Sequence, residues 1–572
     1  MQNTEVELGR ILVENGKLDP DDLDMALREH HKTGDRVSNI LVKMNLVAEE
    51  EVLKALAVQH SLQYMKLSEV TIPSEIISMI PAKLATHYEI IPVENSNGVL
   101  RIALSDPLDI QTLDNLRMAL KMEVEPIIST HKEIMDAIKK YYGIGAETID
   151  EMMDHGDGNQ SLEVETSDIE DIDAMAEDAS IVRFVNQIIS EAFRDRATDI
   201  HVEPLEDELR IRYRIDGVLY EAAIPPAIRR FQSAIISRVK IMADMNIAER
   251  RLPQDGKIKV KRGETDYDMR VSSVPTPYGE SIALRILSRD SHLCTLDRLG
   301  FEGEHINMLR DMIVKPHGIV LITGPTGSGK STTLYASLSE INSADKKILT
   351  VEDPIEYRIP GVTQIQVVPP IGLTFARVLR TLLRQDPDVI MVGEIRDQET
   401  AEITIRTALT GHLVFSTIHT NDACGAVTRL QDMGIEPFLV SSSLEGIIAQ
   451  RLVRVLCSEC KTSYTPPPAL ISKVNTWNED DSGATYFRPV GCETCRYTGY
   501  LGRTAVYELV KIDESMRRLI VERQPANILR KEAINQGMKP IRVAGWHKVK
   551  QGVTTIDEVL RVTMEEEFRH TE

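Results

Sequence analysis

The sequence predicts an α/β protein of several domains, and three observations support this fold class. Past Thr295, short apolar strands alternate with helical segments, which is typical of a parallel sheet. One of these strands, Gly318–Thr323, leads directly into a glycine-rich turn at residues 324–331. Two C-x-x-C pairs follow at residues 457–460 and 492–495. The length of 572 residues leaves room for about three to five domains.

Composition narrows the class of protein. Hydrophobic residues make up 42% of the chain and charged residues 27%, which allows a large buried core. The net charge of −22 repels nucleic acid and anionic lipid headgroups, so we expect no nucleic acid as the main partner. No stretch approaches the ~18 consecutive apolar residues of a membrane span, and the N-terminus lacks the apolar segment of a secretory signal. We therefore expect a cytoplasmic protein that reaches a membrane only through a partner.

A repeat of 29 residues marks the N-terminus. Residues 7–12 align with residues 36–41, and the apolar positions that follow keep the same offset. Each unit has the pattern of two short amphipathic helices. Residues 1–60 are therefore predicted to form a helical repeat module.

Two different segments follow the repeat. Residues 61–143 predict a small α+β module that docks a partner, with strands at 89–93 and 99–104 around an Asn- and Gly-containing turn. Residues 144–180 contain 13 Asp or Glu and no Lys or Arg, so they hold over half of the net charge. Such a segment repels itself and predicts a solvated linker. A docking strip for a basic surface is the alternative.

Residues 181–290 predict an α+β domain. A helix at 180–194 opens it, and a hairpin follows that turns at Asp216-Gly217. Further strands are predicted at 257–262, 267–274 and 281–287. Arginines are dense on these strands, and strand alternation places three of them on one face: Arg210, Arg212 and Arg214.

The glycine-rich turn is a complete G-x-x-x-x-G-K-S phosphate loop between a strand and a helix. Its glycines let backbone N–H groups converge on phosphates, and the helix N-terminus adds partial positive charge. Lys330 is expected to reach the β- and γ-phosphates and Ser331 to ligate Mg²⁺. The sequence therefore predicts a site for ATP. The residues predicted to bind the nucleotide are Gly324, Pro325, Thr326, Gly327, Ser328, Gly329, Lys330, Ser331 and Thr332.

Acidic residues and a histidine follow three other apolar strands. Glu394 ends the strand at 389–394, and Glu352 ends another strand. Since ligands bind at the carboxyl ends of parallel strands, we expect both acids in the site, where a carboxylate positions water and completes the metal shell. His412 and His419 bracket a further strand. His419 is either a core residue or a sensor of the γ-phosphate, and His412 is expected to be a core residue.

The two C-x-x-C pairs suit one tetrahedral Zn²⁺ held by Cys457, Cys460, Cys492 and Cys495. Four thiolates leave no vacant position, so the predicted zinc is structural; redox thiols are the alternative. Nucleic-acid-binding ribbons also contain four-cysteine sites, but the charge of the chain disfavours that use. Cys294 and Cys424 are expected to be buried apolar residues.

The order and spacing of these motifs resembles the secretion ATPase superfamily, specifically the hexameric motors of type II secretion and type IV pilus assembly. The resemblance rests on the phosphate loop, the acids at 352–353, Gly393-Glu394 and the segment from Thr410 to His419. It implies a RecA-like P-loop ATPase domain at 298–572, which includes a four-cysteine zinc subdomain at 455–500 and C-terminal helices. It also implies that the α+β domain before it is PAS-like.

The same resemblance assigns two arginines. It implies that Arg270 and Arg285, on strands of the preceding domain, contact the γ-phosphate when that domain moves. Arginine fingers of this kind contribute about 10³–10⁵ in rate. Surface salt bridges are the alternative for each.

The N-terminal repeat resembles a module that binds cyclic di-GMP in some pilus-assembly ATPases. That motif has Arg-Leu-Gly at the start of each unit, whereas Glu7 replaces the arginine of the first unit and Val37 and Ser38 follow Arg36 in the second. An acid facing a phosphate weakens binding, so we do not expect cyclic di-GMP to bind. A helical module that docks the cytoplasmic domain of an inner-membrane secretion or pilus platform protein is favoured.

These inferences lead to one hypothesis and its competitors. The chain is expected to be a hexameric ATPase, peripheral to the inner membrane, that powers pseudopilus assembly for type II protein secretion. A type IV pilus assembly ATPase is the alternative, and a nucleotide-gated scaffold with little turnover is a second. The negative charge argues against a third, a DNA-translocating ATPase.

Overall fold

The computed structural model divides the chain into two compact units. The first contains Met1–Ile258 and Met269–Ile286, and the second contains Lys259–Asp268 and Leu287–Glu572. The described residues are 2–563 except 34, 45, 97, 107–109, 121, 144–147, 149–178, 263–264, 289–294, 302 and 478–482. The predicted acidic linker and Cys294 thus lie outside the described residues, apart from residues 148, 179 and 180 of the linker.

Helices and strands are numbered in chain order among the described residues. The helices are α1 Gln2–Glu14, α2 Pro20–Thr33, α3 Val37–Lys43, α4 Glu49–Gln59, α5 Ser74–Ile77, α6 Ala82–His87, α7 Ile110–Leu120, α8 His131–Tyr142, α9 Ala179–Arg194, α10 Gln232–Met242, α11 Gly303–Ile313, α12 Lys330–Ile341, α13 Phe375–Leu382, α14 Gln398–Leu409, α15 Ala423–Asp432, α16 Pro437–Ser443, α17 Pro468–Val474, α18 Glu514–Val521, α19 Ala526–Asn535, α20 Ile541–Lys550 and α21 Ile556–Val562. The strands are β1 Gln63–Tyr64, β2 Ile91–Ser96, β3 Val99–Leu104, β4 Glu123–Ile128, β5 Ala197–Pro204, β6 Leu209–Ile215, β7 Val218–Glu221, β8 Gln254–Arg262, β9 Thr265–Thr276, β10 Gly279–Ser288, β11 Gly318–Thr323, β12 Ile348–Glu352, β13 Thr363–Gln366, β14 Val389–Val392, β15 Leu413–Ile418, β16 Leu444–Leu456, β17 Thr462–Tyr464, β18 Tyr486–Arg488 and β19 Tyr500–Lys511. No helix among these has the length and apolar character of a membrane span.

The first four helices confirm the repeat of helix pairs. Helix α2 begins at Pro20 and α4 begins at Glu49, at the offset of the sequence repeat. Leu12 of the first unit and Leu41 of the second occupy equivalent positions, and both are fully buried in one core. Apolar residues at helical spacing therefore account for both units.

Two sheets are built mainly from residues of the first unit. The four-stranded sheet has the order β1-β4-β3-β2, and the six-stranded sheet has the order β7-β6-β5-β10-β9-β8. The hairpin β6–β7 turns at Asp216 (φ 48°) and Gly217 (φ 87°), so the prediction of this turn is confirmed. Positive φ at both positions is the geometry of a two-residue hairpin turn.

A seven-stranded sheet in the order β13-β12-β14-β15-β11-β16-β19 forms the centre of the second unit. Its first six strands are parallel, and β19 alone of the seven described strands runs antiparallel to its neighbour. Every residue of β11 and β15 is buried, as expected for strands covered on both faces. The parallel α/β sheet predicted from the alternating pattern is thereby confirmed, and four strand ends meet at one edge of it.

The segment with the cysteine pairs lies between the long strands β16 and β19. It contains the small hairpin β17–β18 and helix α17. Its apolar side chains, Val474 and Tyr486, share a core with Trp546 of helix α20 and Ile556 of α21. The insertion and the C-terminal helices therefore pack as one layer.

Candidate active site

The phosphate loop connects β11 to α12 and depends on glycine conformations. Gly324, Gly327 and Gly329 have φ values of 148°, 78° and 87°. A Cβ atom on Gly324 would lie 2.5 Å from the carbonyl oxygen of Gln450, which is closer than real contacts allow. The loop is therefore closed against the neighbouring strand β16 at Gly324 and Gly329, whereas Gly327 has open space and is favoured there by its positive φ alone.

Lys330, the first residue of α12, folds back over the loop. Its Nζ donates hydrogen bonds to the carbonyl oxygens of Gly324 (2.8 Å) and Pro325 (3.1 Å). Burial lowers the pKa of Lys330 to about 8, and the negative charge of Glu394 opposes this shift. Within the described residues no carboxylate lies within 4.0 Å of the ammonium, so its charge is available to an anion in the loop.

Glu394 and His419 meet at the ends of adjacent strands. His419 Nε2 lies 3.5 Å from Glu394 Oε2, and the Arg396 guanidinium contacts the other oxygen of the same carboxylate. The Glu394 side chain is largely buried, whereas His419 is about half exposed, at 48%. His412 stands at the opposite end of the strand, where its Nδ1 lies 3.0 Å from the carbonyl oxygen of Thr407. The two histidines therefore lie at opposite ends of β15; His412 is hydrogen-bonded but only partly buried, not the core residue that was expected, and the role of His419 stays a prediction.

Glu352 is buried in the sheet and has no free oxygen atom. Its carboxylate accepts hydrogen bonds from the Tyr335 hydroxyl, from Thr350 Oγ1 (2.5 Å) and from Gln364 Nε2 (3.0 Å). Burial and the charge of Glu352 raise the pKa of Tyr335. Glu352 thus anchors α12 to the strand end, and Glu394 is the acid whose charge acts on Lys330. A direct catalytic role for Glu352 stays a prediction.

Several arginines of the six-stranded sheet are paired with acids. Arg210 and Arg212 bind the carboxylate of Glu203 on the neighbouring strand β5. Arg285 Nε lies 2.9 Å from Asp199 Oδ1, and the Arg285 side chain is 59% exposed. The exposed guanidinium keeps donors available, because Asp199 is the only acid within 4.0 Å of it among the described residues.

Arg270 lies on β9 and is half-buried. Because Arg270 and Arg285 belong to the first unit and the phosphate loop to the second, their contact with nucleotide stays a prediction.

The four cysteines predicted to hold zinc converge. All four Sγ atoms lie within 4.8 Å of one another, with distances of 3.7 Å for Cys457–Cys492 and 3.8 Å for Cys460–Cys495. Tetrahedral zinc with ~2.3 Å bonds to sulfur places its ligands about 3.8 Å apart. Backbone N–H groups of Gly491 and Gly499 donate to two of the sulfurs, as thiolates require. The donor set and spacing therefore fit a closed metal site.

Several residues near the phosphate loop have no signal in the sequence. Tyr335 binds Glu352 across the sheet, and Gln450 binds the loop from a strand more than 100 residues later. Neither belongs to a local motif, because their partners are distant in the chain. Cys424 is buried in the core, as predicted.

Comparison with known proteins adds family information. A family model described as "Type II/IV secretion system protein" matches residues 174–561, and a second described as "MshEN domain" matches residues 60–148. The first match covers more than half of the chain.

Two curated relatives align with nearly the whole chain. The type IV pilus assembly ATPase PilB of Myxococcus xanthus is 41% identical over 98% of this chain and 99% of that protein. Type II secretion system protein E of Xanthomonas campestris is 40% identical over 98% and 99%. A solved structure, the ATPase DotB of Yersinia pseudotuberculosis, is 20% identical and covers 67% of this chain and 94% of its own, with a TM-score of 0.50. This last likeness supports the fold alone.

Proposed function

The chain belongs to the type II/IV secretion system protein family, and we propose that it is an ATP-hydrolysing motor that powers pseudopilus assembly for type II protein secretion across the outer membrane. Membership of this ATPase family implies ATP and Mg²⁺. The observation that carries the proposal is the meeting of Lys330, Glu394 and His419 at the carboxyl edge of one parallel sheet.

The residues of the second unit divide the chemistry among them. Backbone N–H groups of the loop and Lys330 bind the phosphates, and Ser331 ligates Mg²⁺, which neutralises charge on the β- and γ-oxygens. Glu394 orients the attacking water, and Arg396 and His419 hold the Glu394 carboxylate in place. We assign to His419 the sensing of the γ-phosphate, and its position 3.5 Å from Glu394 supports this role.

The first unit supplies the arginines that reach the γ-phosphate only when hydrolysis begins. We assign Arg270 and Arg285 to the γ-phosphate of a subunit in a hexameric ring. The exposure of Arg285 supports this role, because an arginine finger must leave its resting partner to reach the phosphate. Asp199 holds it until then.

We propose that Cys457, Cys460, Cys492 and Cys495 bind one structural Zn²⁺. The distances among their sulfurs and the closed donor set support this assignment. The metal would stabilise the fold of this insertion, whose own apolar core is small.

We propose that residues 1–143 dock the cytoplasmic domain of an inner-membrane platform protein, which places the chain in the cytoplasm at the inner membrane. The MshEN domain that matches part of this region is associated with cyclic di-GMP binding. Arg36, the arginine of the second repeat, lies 2.8 Å from Asp106, which neutralises a charge that a dinucleotide would need. We therefore retain protein docking as the function of this module.

Type IV pilus assembly is the second candidate function, favoured by the full-length similarity to PilB of Myxococcus xanthus. The motor chemistry is the same in both cases. Purification of the cytoplasmic domain that binds residues 1–143 distinguishes them, because the pilus and secretion platforms are different proteins.

The test of the motor is hydrolysis by the purified chain. We expect Glu394→Gln to bind ATP with little change but to hydrolyse it at least 100-fold more slowly, since the water loses its carboxylate. The matched control is Glu399→Gln, because Glu399 is an exposed acid paired with Arg380 outside the site. A wild-type chain without hydrolysis, or Glu394→Gln with full hydrolysis, would support the nucleotide-gated scaffold instead.

A further inference from the structure

Gln450 of β16 is a buried polar residue that the chemistry above does not use. It is 1% exposed. Its Nε2 donates to the carbonyl oxygen of Ser328 at 2.6 Å, and its Oε1 accepts from Thr333 Oγ1 at 2.9 Å. One amide thus binds the second half of the phosphate loop and the first turn of helix α12 together.

The two bonds fix the orientation of the amide. The Ser328 carbonyl oxygen can only accept, so the nitrogen of Gln450 must face it, and the oxygen is left for the Thr333 hydroxyl. A glutamate would set its carboxylate against that carbonyl oxygen. An apolar side chain would leave the Ser328 carbonyl oxygen without this bond and the Thr333 hydroxyl with only its 3.4 Å contact to the Gly329 carbonyl oxygen. A neutral side chain with one donor and one acceptor is therefore what this position requires.

The next residue, Arg451, extends the connection to the segment after His419. Its guanidinium donates to the backbone oxygen of Gln450 at 3.0 Å and to the backbone oxygen of Asn421 at 2.7 Å. Arg451 is only 9% exposed, and no carboxylate of the described residues lies within 4.0 Å of it. Its two bonds therefore join β16 to the segment that begins with His419.

The hydrogen bonds of Gln450 and Arg451 matter most when nucleotide binds, because Lys330 must then release the loop. Lys330 now holds the first half of the loop through two carbonyl oxygens, and it must leave them to reach phosphate oxygens. Phosphate is bound by the backbone N–H groups of the loop. The bonds of Gln450 use the carbonyl oxygen of Ser328 and the hydroxyl of Thr333 instead, so they do not compete with phosphate. They can hold the loop while Lys330 moves.

We propose that Gln450 and Arg451 are positioning residues for ATP hydrolysis: Gln450 holds the phosphate loop in its binding geometry, and Arg451 holds the His419 segment in register with it. This inference rests on the proposed ATPase function. It assigns different effects to the two residues, because the loop determines nucleotide affinity and His419 contacts the catalytic acid.

The experiment compares variants of the full chain for binding of a fluorescent ATP analogue and for kcat and KM. We expect Gln450→Met and Gln450→Glu to raise Kd and KM for ATP about tenfold or more, the size expected when a buried donor and acceptor lose a partner. We expect Arg451→Lys to lower kcat at least fivefold with KM within twofold, because an ammonium cannot bridge two carbonyl oxygens as a planar guanidinium does.

The matched control is Gln431→Met. Gln431 donates one hydrogen bond to the Ile520 carbonyl oxygen at 3.2 Å, away from the loop, so its replacement should leave Kd and kcat within twofold of wild type. Thr333→Val, which removes the donor to Gln450, should raise Kd in the same direction as Gln450→Met. If Gln450→Met does not fold, Gln450→Glu and Thr333→Val carry the same test.

The outcomes separate this inference from the proposed function. A wild-type chain that does not hydrolyse ATP refutes the proposed function. A wild-type chain that does so, beside Gln450 variants with unchanged Kd, refutes the role of Gln450. If the Gln450 and Arg451 variants change kcat and KM by the same factors, the division of roles between the two residues is refuted.

Discussion

The pKa of Lys330 predicts how nucleotide affinity changes with pH. Burial lowers this pKa to about 8, although Glu394 opposes the shift. The ammonium form binds triphosphate, and the bound phosphates keep it protonated because opposite charges favour the charged form. The affinity for ATP should therefore be highest at pH values below the pKa that Lys330 has without nucleotide, and it should fall as pH rises through that pKa.

The size of the effect follows from the fraction of charged lysine. With a pKa of about 8, roughly nine tenths of the chains carry the ammonium at pH 7 and roughly one tenth at pH 9. The Kd for ATP should rise about tenfold over this interval, which is ~1.4 kcal/mol. Phosphate ionisation contributes little, because its second pKa is about 6.

Isothermal titration with Mg²⁺ and a non-hydrolysable ATP analogue measures this at pH 7, 8 and 9. Titration at pH 8 in two buffers of different ionisation heat should also show uptake of about half a proton per nucleotide. Circular dichroism at each pH confirms that the chain stays folded. The matched control is Lys330→Arg, whose guanidinium keeps its charge throughout and should remove the pH dependence. A Kd that stays constant from pH 7 to 9 in the wild type would refute the reasoning. So would an equal rise of Kd with pH in Lys330→Arg.

Three further predictions concern the other sites. Zinc analysis should find one metal per chain. Cys460→Ser should lose it and lower Tm by more than 5 °C, whereas Cys424→Ala, at a buried position of helix α15, should retain the metal. Arg285→Ala should lower kcat at least tenfold with Kd for ATP nearly unchanged. The control is Arg210→Ala, which removes an arginine paired with Glu203 on the same sheet and should leave kcat within twofold of wild type. Equal losses of kcat in the two variants would contradict the assignment of Arg285 as an arginine finger. Titration of the full chain with cyclic di-GMP at micromolar concentration should give no binding heat, and saturable binding would overturn the assignment of the N-terminal module to protein docking.

Local patterns in the sequence account for the elements that were predicted well. Strands β11 and β15 are continuous apolar runs, and β6–β7 is marked by Asp-Gly between alternating residues, so their bounds could be read directly. The common edge of β11, β12, β14 and β15 followed from parallel topology alone. The same reasoning put Glu394 at this edge, whereas it left His419 open between a core residue and a sensor.

Other features depend on packing between distant segments. Strand β5 was not predicted, although it carries the acids Glu203 and Asp199 that pair with the arginine row. Those pairs explain why three arginines are tolerated on one face of β6. Similarly, the donors that surround Glu352 come from three separate elements, so its burial could not be inferred from a strand end rich in acids.

Strand β16 connects two sites that the sequence presents separately. Gln450 binds the phosphate loop, and the same strand ends next to Cys457. Between them, Arg454 donates to the buried carboxylate of Glu558 on α21 at 2.9 Å and 3.1 Å, and its guanidinium stacks on Tyr500. Burial alone would raise the pKa of Glu558, but hydrogen bonds from Arg561 and Arg454 outweigh it and lower the pKa to about 2, so this anchor stays ionised at neutral pH.

The position of this anchor determines how far the loss of zinc should reach. If Arg454 and Glu558 hold β16 independently of the metal, Cys460→Ser should lower Tm but leave Kd for ATP within twofold of wild type. In Glu558→Gln the carboxylate that accepts two arginines loses its charge, and the strand should then depend on the zinc site for its position. The double variant should therefore weaken ATP binding by more than the product of the two single effects, as expected for sites that share one element. Multiplicative effects on Kd would show that the zinc site and the phosphate loop act independently.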